Sequence, residues 1–118
     1  MRRSAALGRY GEDVAVAYLQ AQGMVIIDRN WRCEVGEIDI VAREGSTLVI
    51  CEVKTRSSEE FGTPVQHLTP RKMRRLRQLA YRWLVARGVH APAIRIDVVG
   101  VVQASTGAPV IDHLRGVD

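Results

Sequence analysis

The chain predicts an α/β domain, a mixed central sheet flanked by helices. Two segments of helical period, 4–22 and 69–88, are each bounded by capping residues. Four apolar runs of strand length fill the chain between and after them. At 118 residues, 47% hydrophobic and 25% charged, the composition is that of one ordinary globular domain with room for a real core. A single unit over 1–118 is expected, with its core at about 4–102 and a C-terminal turn and short strand over 103–118.

The first helix runs from Ser4, a potential N-cap, to Gln22, with Gly23 in the C′ position. Leu7, Gly11, Val14, Tyr18 and Ala21 form its apolar stripe, and Arg9, Asp13 and Gln20 lie toward the other side. Glu12 is the exception, because it lines up with Gly8, Ala15, Val16 and Leu19. A carboxylate there is either a rim residue favoured by the helix dipole or is drawn inward by a cation.

Met24–Arg32 follows as a strand, apolar at Val25, Ile26 and Ile27 and polar at Arg29, Asn30 and Arg32. Trp31 could stack on a nucleotide, but packing is the expected role.

The stretch Gly36–Arg56, GEIDIVAREGSTLVICEVKTR, is two alternating runs around a glycine turn, the pattern of a β-hairpin. Both runs carry carboxylates where a buried strand should have none. Period-two alternation puts Glu37, Asp39, Val41 and Arg43 on one face and Ile38, Ile40 and Ala42 on the other. In the second run Leu48, Ile50, Glu52 and Lys54 share a face opposite Val49, Cys51 and Val53. With Glu44-Gly45 as the two-residue centre, Ile50 lies across from Asp39, and Asp39 and Glu52 become diagonal neighbours on one face. Glu37 then falls opposite Glu52 and is read as a repelled neighbour turned to solvent. A three- or five-residue loop would separate Asp39 from Glu52, and the sequence leaves that choice open.

Arg56–Leu68 reads as a loop leaving the strand of Glu52 and Lys54, and loops in that position commonly touch substrate. Phe61, Gln66 and His67 are its candidate contacts, although His67 is read as an ordinary surface histidine.

Thr69-Pro70 opens the second helix as N-cap and first residue, and Gly88 closes it. Met73, Leu76, Ala80 and Trp83 form its buried stripe; Arg71, Arg74, Arg75, Gln78 and Arg82 form the outer one. Ala93–Val102 is a fourth strand, with Arg95 and Asp97 read as a plain ion pair. Gln103–Pro109 is a turn, and Val110–Leu114 is a short closing strand.

Net charge is +4, but its distribution says more. Arg71, Lys72, Arg74, Arg75, Arg77, Arg82 and Arg87 lie on the second helix with no acid among them, giving +7 there and −3 elsewhere. Like charges repel at helical spacing, so seven uncompensated ones point to a polyanion partner. The first residues, broken by Gly8, Arg9, Glu12 and Asp13, make a poor signal peptide, and no run approaches the roughly 20 apolar residues of a membrane span. A cytoplasmic protein with no membrane partner is expected. Cys33 and Cys51, without CxxC spacing, read as buried strand thiols rather than zinc ligands.

Two carboxylates and an ammonium at one end of an apolar hairpin can do phosphodiester chemistry. Asp39 and Glu52 offer hard oxygen donors for Mg²⁺ or Mn²⁺, with the Val53 carbonyl as a third oxygen, and Lys54 can orient a water. The chain uses fifteen arginines and two lysines, so a lysine at 54 stands out; an ammonium is a compact, tunable charge that a guanidinium is not. Arg56, Gln66, Arg71, Lys72, Arg74 and Arg75 are the expected nucleic-acid contacts.

The order helix Glu, strand Asp, strand Glu-x-Lys, helix, strand resembles the PD-(D/E)xK nuclease superfamily, with its restriction-endonuclease-like αβββαβ core. GRYGEDVAVAYL, NWRCEVGEIDIVA, LVICEVKTR and RIDVVGV together resemble, in order and over residues 8–101, the YraN family of functionally uncharacterised bacterial proteins, which is similar to archaeal Holliday junction resolvases. Ile38 rather than proline precedes Asp39. Carried over by position, the resemblance implies Asp39 and Glu52 as metal ligands, Lys54 as the water-orienting residue and Glu12 as an additional acid. The expectation is therefore a metal-dependent DNA endonuclease, structure-selective for branched DNA, with which a homodimer is compatible. The alternatives are a nucleic-acid-binding module of the same fold that does not cut, and a basic helix that docks an acidic protein.

Overall fold

The computed structural model describes residues 3–57 and 68–118. In chain order they form α1 (Arg3–Ala21), β1 (Val25–Cys33), β2 (Gly36–Glu44), β3 (Thr47–Ser57), α2 (Pro70–Arg87), β4 (Ala93–Gln103) and β5 (Val110–Leu114). One sheet holds all five strands in the order β1-β2-β3-β4-β5. Only β3 and β4 are parallel, and α2 supplies the crossover that a parallel pair needs; the other neighbours are antiparallel. The result is the mixed α/β architecture expected from sequence, a restriction-endonuclease-like αβββαβ core with β5 added at one edge.

The helices cover opposite faces of the sheet. Ala15 and Leu19 of α1 pack over Ile40, Ala42, Val49, Cys51, Val99 and Val101. Leu76, Leu79, Ala80 and Trp83 of α2 pack over Ile38, Val41, Leu48, Ile50 and Ile96. β3 and β4 alternate as a strand buried on both faces should. None of the described helices is long and apolar enough to cross a membrane.

Three sequence expectations shift. On α1, the fully buried residues are Ala15 and Leu19, flanked by buried Gly11, while Ala21 is exposed. The inward face is therefore the one that carries Glu12. On α2, Leu79 is buried and Met73 only half-buried, because the helix is rotated slightly from the stripe read by periodicity. Cys51 is buried as expected, whereas Cys33 at the end of β1 is half-buried.

The ends of α2 follow the local chemistry. Thr69 Oγ1 accepts a hydrogen bond from Lys72 N at 3.1 Å, Pro70 takes the first helical position, and Gly88 closes the helix at φ 64°.

The β2–β3 turn is Gly45-Ser46, since Glu44 pairs with Thr47. Gly45 takes φ 60°, which glycine adopts without steric cost. The loop has two residues, which decides a length the sequence leaves open, and it lies one position later than Glu44-Gly45, so every cross-strand pair slides by two and Ile50 faces Val41 rather than Asp39.

α1 approaches the sheet most closely at Gly11. A Cβ built there would lie 1.7 Å from Thr55 Oγ1 and 2.6 Å from two further Thr55 carbons, so only glycine lets helix and strand meet. Gly8 has nothing within 4 Å of the same position. Gly11→Ala is expected to lower unfolding free energy by about 1–3 kcal/mol through overpacking, whereas Gly8→Ala, which gains helix propensity, should be neutral or stabilising by up to ~1 kcal/mol. Urea unfolding of the two variants checks this, and equal effects would contradict the contact.

Candidate functional site

The site begins where β2 parts from β3. Their ladder runs from Glu44↔Thr47 to Ile40↔Cys51 and stops there, while β3 continues to Ser57 paired with β4. β2 meanwhile stays paired with β1 up to Gly36↔Cys33. Asp39 sits at the parting and is, among the described residues of β2, the one with no cross-strand partner on either side. Its side chain serves the gap instead, with Oδ2 accepting a hydrogen bond from Val53 N at 2.8 Å.

The faces of β2 also change at this point. Ile40 and Ala42 belong to the core under α1, whereas Ile38 belongs with Trp31 to the core under α2. Strict alternation, which puts Ile38 and Ile40 together, fails here. One consequence is Glu37. Rather than facing Glu52, it pairs across the sheet with Arg32, whose Nε lies 2.8 Å from Glu37 Oε2, and it comes to the α1 side. Glu12, Glu37 and Asp39 each offer a carboxylate oxygen within 4.8 Å of the other two.

Three acids thus converge, and Glu52 on β3 adds its charge to theirs. Burial pushes the Asp39 carboxyl up, the Val53 N–H partly offsets this, and the charges of Glu12, Glu52 and Glu37 push it further, to about 6. Glu52 Oε2 is buried with no hydrogen-bond partner among the described residues, a costly state for a carboxylate oxygen. The Cys51 thiol beside it is raised by burial and by Asp97, Asp39 and Glu52, which leaves it protonated and inert. A hard divalent cation suits these donors: every one is oxygen, most of the charge is negative, and one buried oxygen lacks any partner. Asp39, Glu12, Glu37 and Glu52 could hold it, together with the Val53 carbonyl.

Lys54 and Arg56 follow on β3, both half-buried and without an ion-pair partner among the described residues. Gln66, Phe61 and His67 lie outside the described residues. The seven basic residues of α2 are not equivalent. Arg77 pairs with Asp118 at 2.6 Å, Arg82 with Glu34 and Arg87 with Asp28. The expectation of seven uncompensated charges is thereby corrected, since the tail, the β1–β2 turn and β1 itself supply acids that sequence distance conceals. Arg71, Lys72, Arg74 and Arg75 have no such partner among the described residues, and all four are exposed. A Cβ on Gly36 would lie 3.9 Å from Arg75 Cδ, so Arg75 lies against the start of β2.

Other polar groups are accounted for structurally. Asp97, fully buried, accepts from Arg95 Nε at 2.9 Å and Gly116 N at 3.0 Å and meets His113 Nε2 at 2.8 Å; these bonds outweigh burial and hold it below the usual carboxylate range. The expected Arg95–Asp97 pair is therefore part of a larger tie that also takes in Glu44. A groove of about 560 Å³ between β1 and α2 is lined by apolar groups together with the paired Glu34 and Arg82, and it carries no acid cluster.

The sequence model of the Uncharacterised protein family UPF0102 matches residues 11–101. The chain belongs to that family. A UPF0102 protein of Nocardioides sp. is 56% identical over 112 residues, covering 95% of this chain and 90% of the relative. UPF0102 proteins of Streptomyces griseus and Beutenbergia cavernae are 54% and 53% identical, each over 99% of both chains. The family resemblance carried by the four sequence segments is thereby borne out. The UPF0102 match spans α1 from Gly11 through β4, and so includes Glu12, Glu37, Asp39, Glu52 and Lys54.

Glu37 is the residue that pattern reading assigned to solvent. Asn30, directly across β1 from Asp39, was the available signal, because asparagine is one of the few residues that leave the extended region readily.

Asp39 makes the fold pH-sensitive in a definite direction. Its folded carboxyl binds a proton more tightly than the unfolded one, at about 6 against 3.8. The stability tied to it is therefore full below the unfolded value and is lost as pH rises through about 6. Asp39→Asn keeps an acceptor for Val53 N–H and removes the charge. At pH 8 the variant should be more stable than the parent by about 1–3 kcal/mol without added metal, and near pH 4 the difference should vanish. Denaturant unfolding across that range checks it; parallel pH profiles would refute the assignment.

Proposed function

We propose that this UPF0102 protein is a divalent-metal-dependent DNA endonuclease whose centre is the acid cluster at the split of β2 and β3. The observation that carries the reading is Asp39, a mostly buried carboxylate repelled by three others and set between strands, with its proton affinity raised to about 6. A protein that concentrates charge this way sacrifices stability, which is the usual mark of a functional site.

Asp39 Oδ2 is held by Val53 N, which fixes the carboxyl and leaves Oδ1 available. Glu52, with its unpartnered Oε2, and the Val53 carbonyl lie on the adjoining β3, and Glu12 and Glu37 close the α1 side. A bound Mg²⁺ or Mn²⁺ supplies Lewis-acid activation of water and neutralises charge on the phosphate. Lys54 follows Val53 directly and, with no carboxylate partner among the described residues, is the group to orient the attacking water and steady its proton.

DNA is held by charge that the fold leaves unspent. Arg71, Lys72, Arg74 and Arg75 are exposed, whereas the other basic residues of α2 are neutralised by Asp118, Glu34 and Asp28. Arg56 on β3, and Gln66 outside the described residues, are the further candidate phosphate contacts. Branched DNA, which presents phosphates from more than one strand, is the substrate class to test first.

The decisive assay offers duplex, single-stranded, flapped and four-way DNA with Mg²⁺ or Mn²⁺. Cleavage should occur with at least one substrate, and Asp39→Ala or Lys54→Ala should abolish it while DNA binding persists. Failure to cut any of them with either metal would reject the enzyme. In binding assays, replacing Arg71, Arg74 and Arg75 with alanine should lower the salt dependence by about one unit of slope per lost phosphate contact. The same replacements at Arg77, Arg82 and Arg87 should leave the slope nearly unchanged. Equal slopes for the two triple variants would remove α2 from the interface.

A further inference from the structure

We infer that Asn30 is a positioning residue for the acid cluster, switching the faces of the β1–β2 hairpin so that Glu37 joins Glu12 and Asp39. Its consequence for metal binding rests on the nuclease reading; its geometric content does not.

Asn30 has φ 52°, the one positive φ at a non-glycine residue among those described. It lies in β1 between two pairs, Arg29↔Ile40 and Trp31↔Ile38, opposite the unpaired Asp39. Between the β1 bulge at Ile26/Asp28 and Asn30, the hairpin keeps one phase. Arg29 Nη2 reaches Asp13 of α1 at 2.7 Å, and its partner Ile40 packs under α1. After Asn30, the phase is reversed. Trp31 and Ile38, which should share the faces of Arg29 and Ile40, pack instead in the core under α2. A left-handed residue turns the strand over in this way, and the paired strand must follow at Asp39 to keep its hydrogen bonds.

The reversal assembles the site. In unbroken alternation Glu37 shares the face of Val41, which packs under α2, on the far side of the sheet from Glu12. With the switch, Glu37 reaches the α1 side within 4.8 Å of Glu12 and Asp39, and Arg32 arrives across from it to hold the carboxylate at 2.8 Å. Asn30 itself is exposed, and the left-handed turn serves no packing of its own side chain. Asparagine lowers the cost of that turn, and glycine would lower it further, whereas a β-branched residue resists it.

Two readouts test the inference: Mn²⁺ affinity by calorimetry, and the methyl contacts of Ile38 by NMR. Asn30→Gly should bind Mn²⁺ within about threefold of the parent, as a neutral surface change does. Asn30→Val should bind roughly 5- to 30-fold more weakly, the cost of a disfavoured left-handed residue, and should lose the Ile38 contacts to the α2-side core. Adding Glu37→Gln to Asn30→Val should weaken binding no further, because Asn30 acts through Glu37. Asn30→Ala, less strained than valine, gives the same comparison if the valine variant does not fold. Parent-like Mn²⁺ affinity and Ile38 contacts in the valine or alanine variant, or full additivity with Glu37→Gln, would overturn it. If the parent itself binds no Mn²⁺, the metal reading falls, and the Ile38 contacts alone decide the positioning: lost with valine and kept with glycine supports it, kept in both refutes it.

Discussion

The parting of β2 from β3 after Ile40↔Cys51 is the constraint on which the site depends. A sheet that stayed fully paired would have no room for a carboxylate between its strands, because each backbone donor would already be served by a carbonyl. Here one donor, Val53 N–H, is given to Asp39 instead. The exchange satisfies the backbone and plants a carboxylate at a position shielded from water. Once it is there, the other acids raise its proton affinity, and the region tends toward binding a cation or a proton.

The rest of the chain keeps that opening in place without closing it. Gly11 brings α1 against Thr55, one residue past Lys54, and so sets Glu12 beside the gap. On the opposite face, Trp83 donates through Nε1 to Asp28 at 3.0 Å, and Arg87 pairs with the same carboxylate. Burial would raise Asp28, but these bonds prevail and hold it below the ordinary range, so α2 is locked to β1 at its C-terminal end. The N-terminal end of α2 is left basic and without acid partners among the described residues. At the far side of the sheet, the buried Asp97 network joins β4, β5 and the residues after β5, while Tyr18 OH meets His113 Nδ1 at 3.1 Å from α1. Stability is concentrated there, and charge tension is concentrated at the split.

Much of this was legible in the sequence. Element order and type follow from period and caps: Thr69, Pro70 and Gly88 bound α2, and apolar alternation marks β3 and β4. The hairpin itself was legible from Gly45 between two apolar runs, but its loop length, and so its parity, was not. Nor was its exact position, since Glu44-Gly45 and Gly45-Ser46 differ by one residue, and the choice depends on which pairing buries more apolar surface. Glu12 could be seen to break an apolar stripe. Its neighbours Ala15 and Leu19 are the most buried residues of α1, and this settles that the stripe faces inward. Glu37 was hidden, because its place depends on Asn30 leaving the extended region, a backbone event that no side-chain period reports.

By itself, the sequence determined the α/β class, the family, the order of the elements, the acids and lysine available for chemistry, and the excess of positive charge on α2. These are local properties, set by periodicity, capping and composition. Only the tertiary structure decided which acids converge and which basic residues remain unpaired. Glu37 reaches Glu12 through a reversal at Asn30, and Arg77, Arg82 and Arg87 are neutralised by Asp118, Glu34 and Asp28. The physical reason is the same in both cases: electrostatic energy depends on separation in space, and the chain brings together charges whose distance along the sequence carries no trace of it.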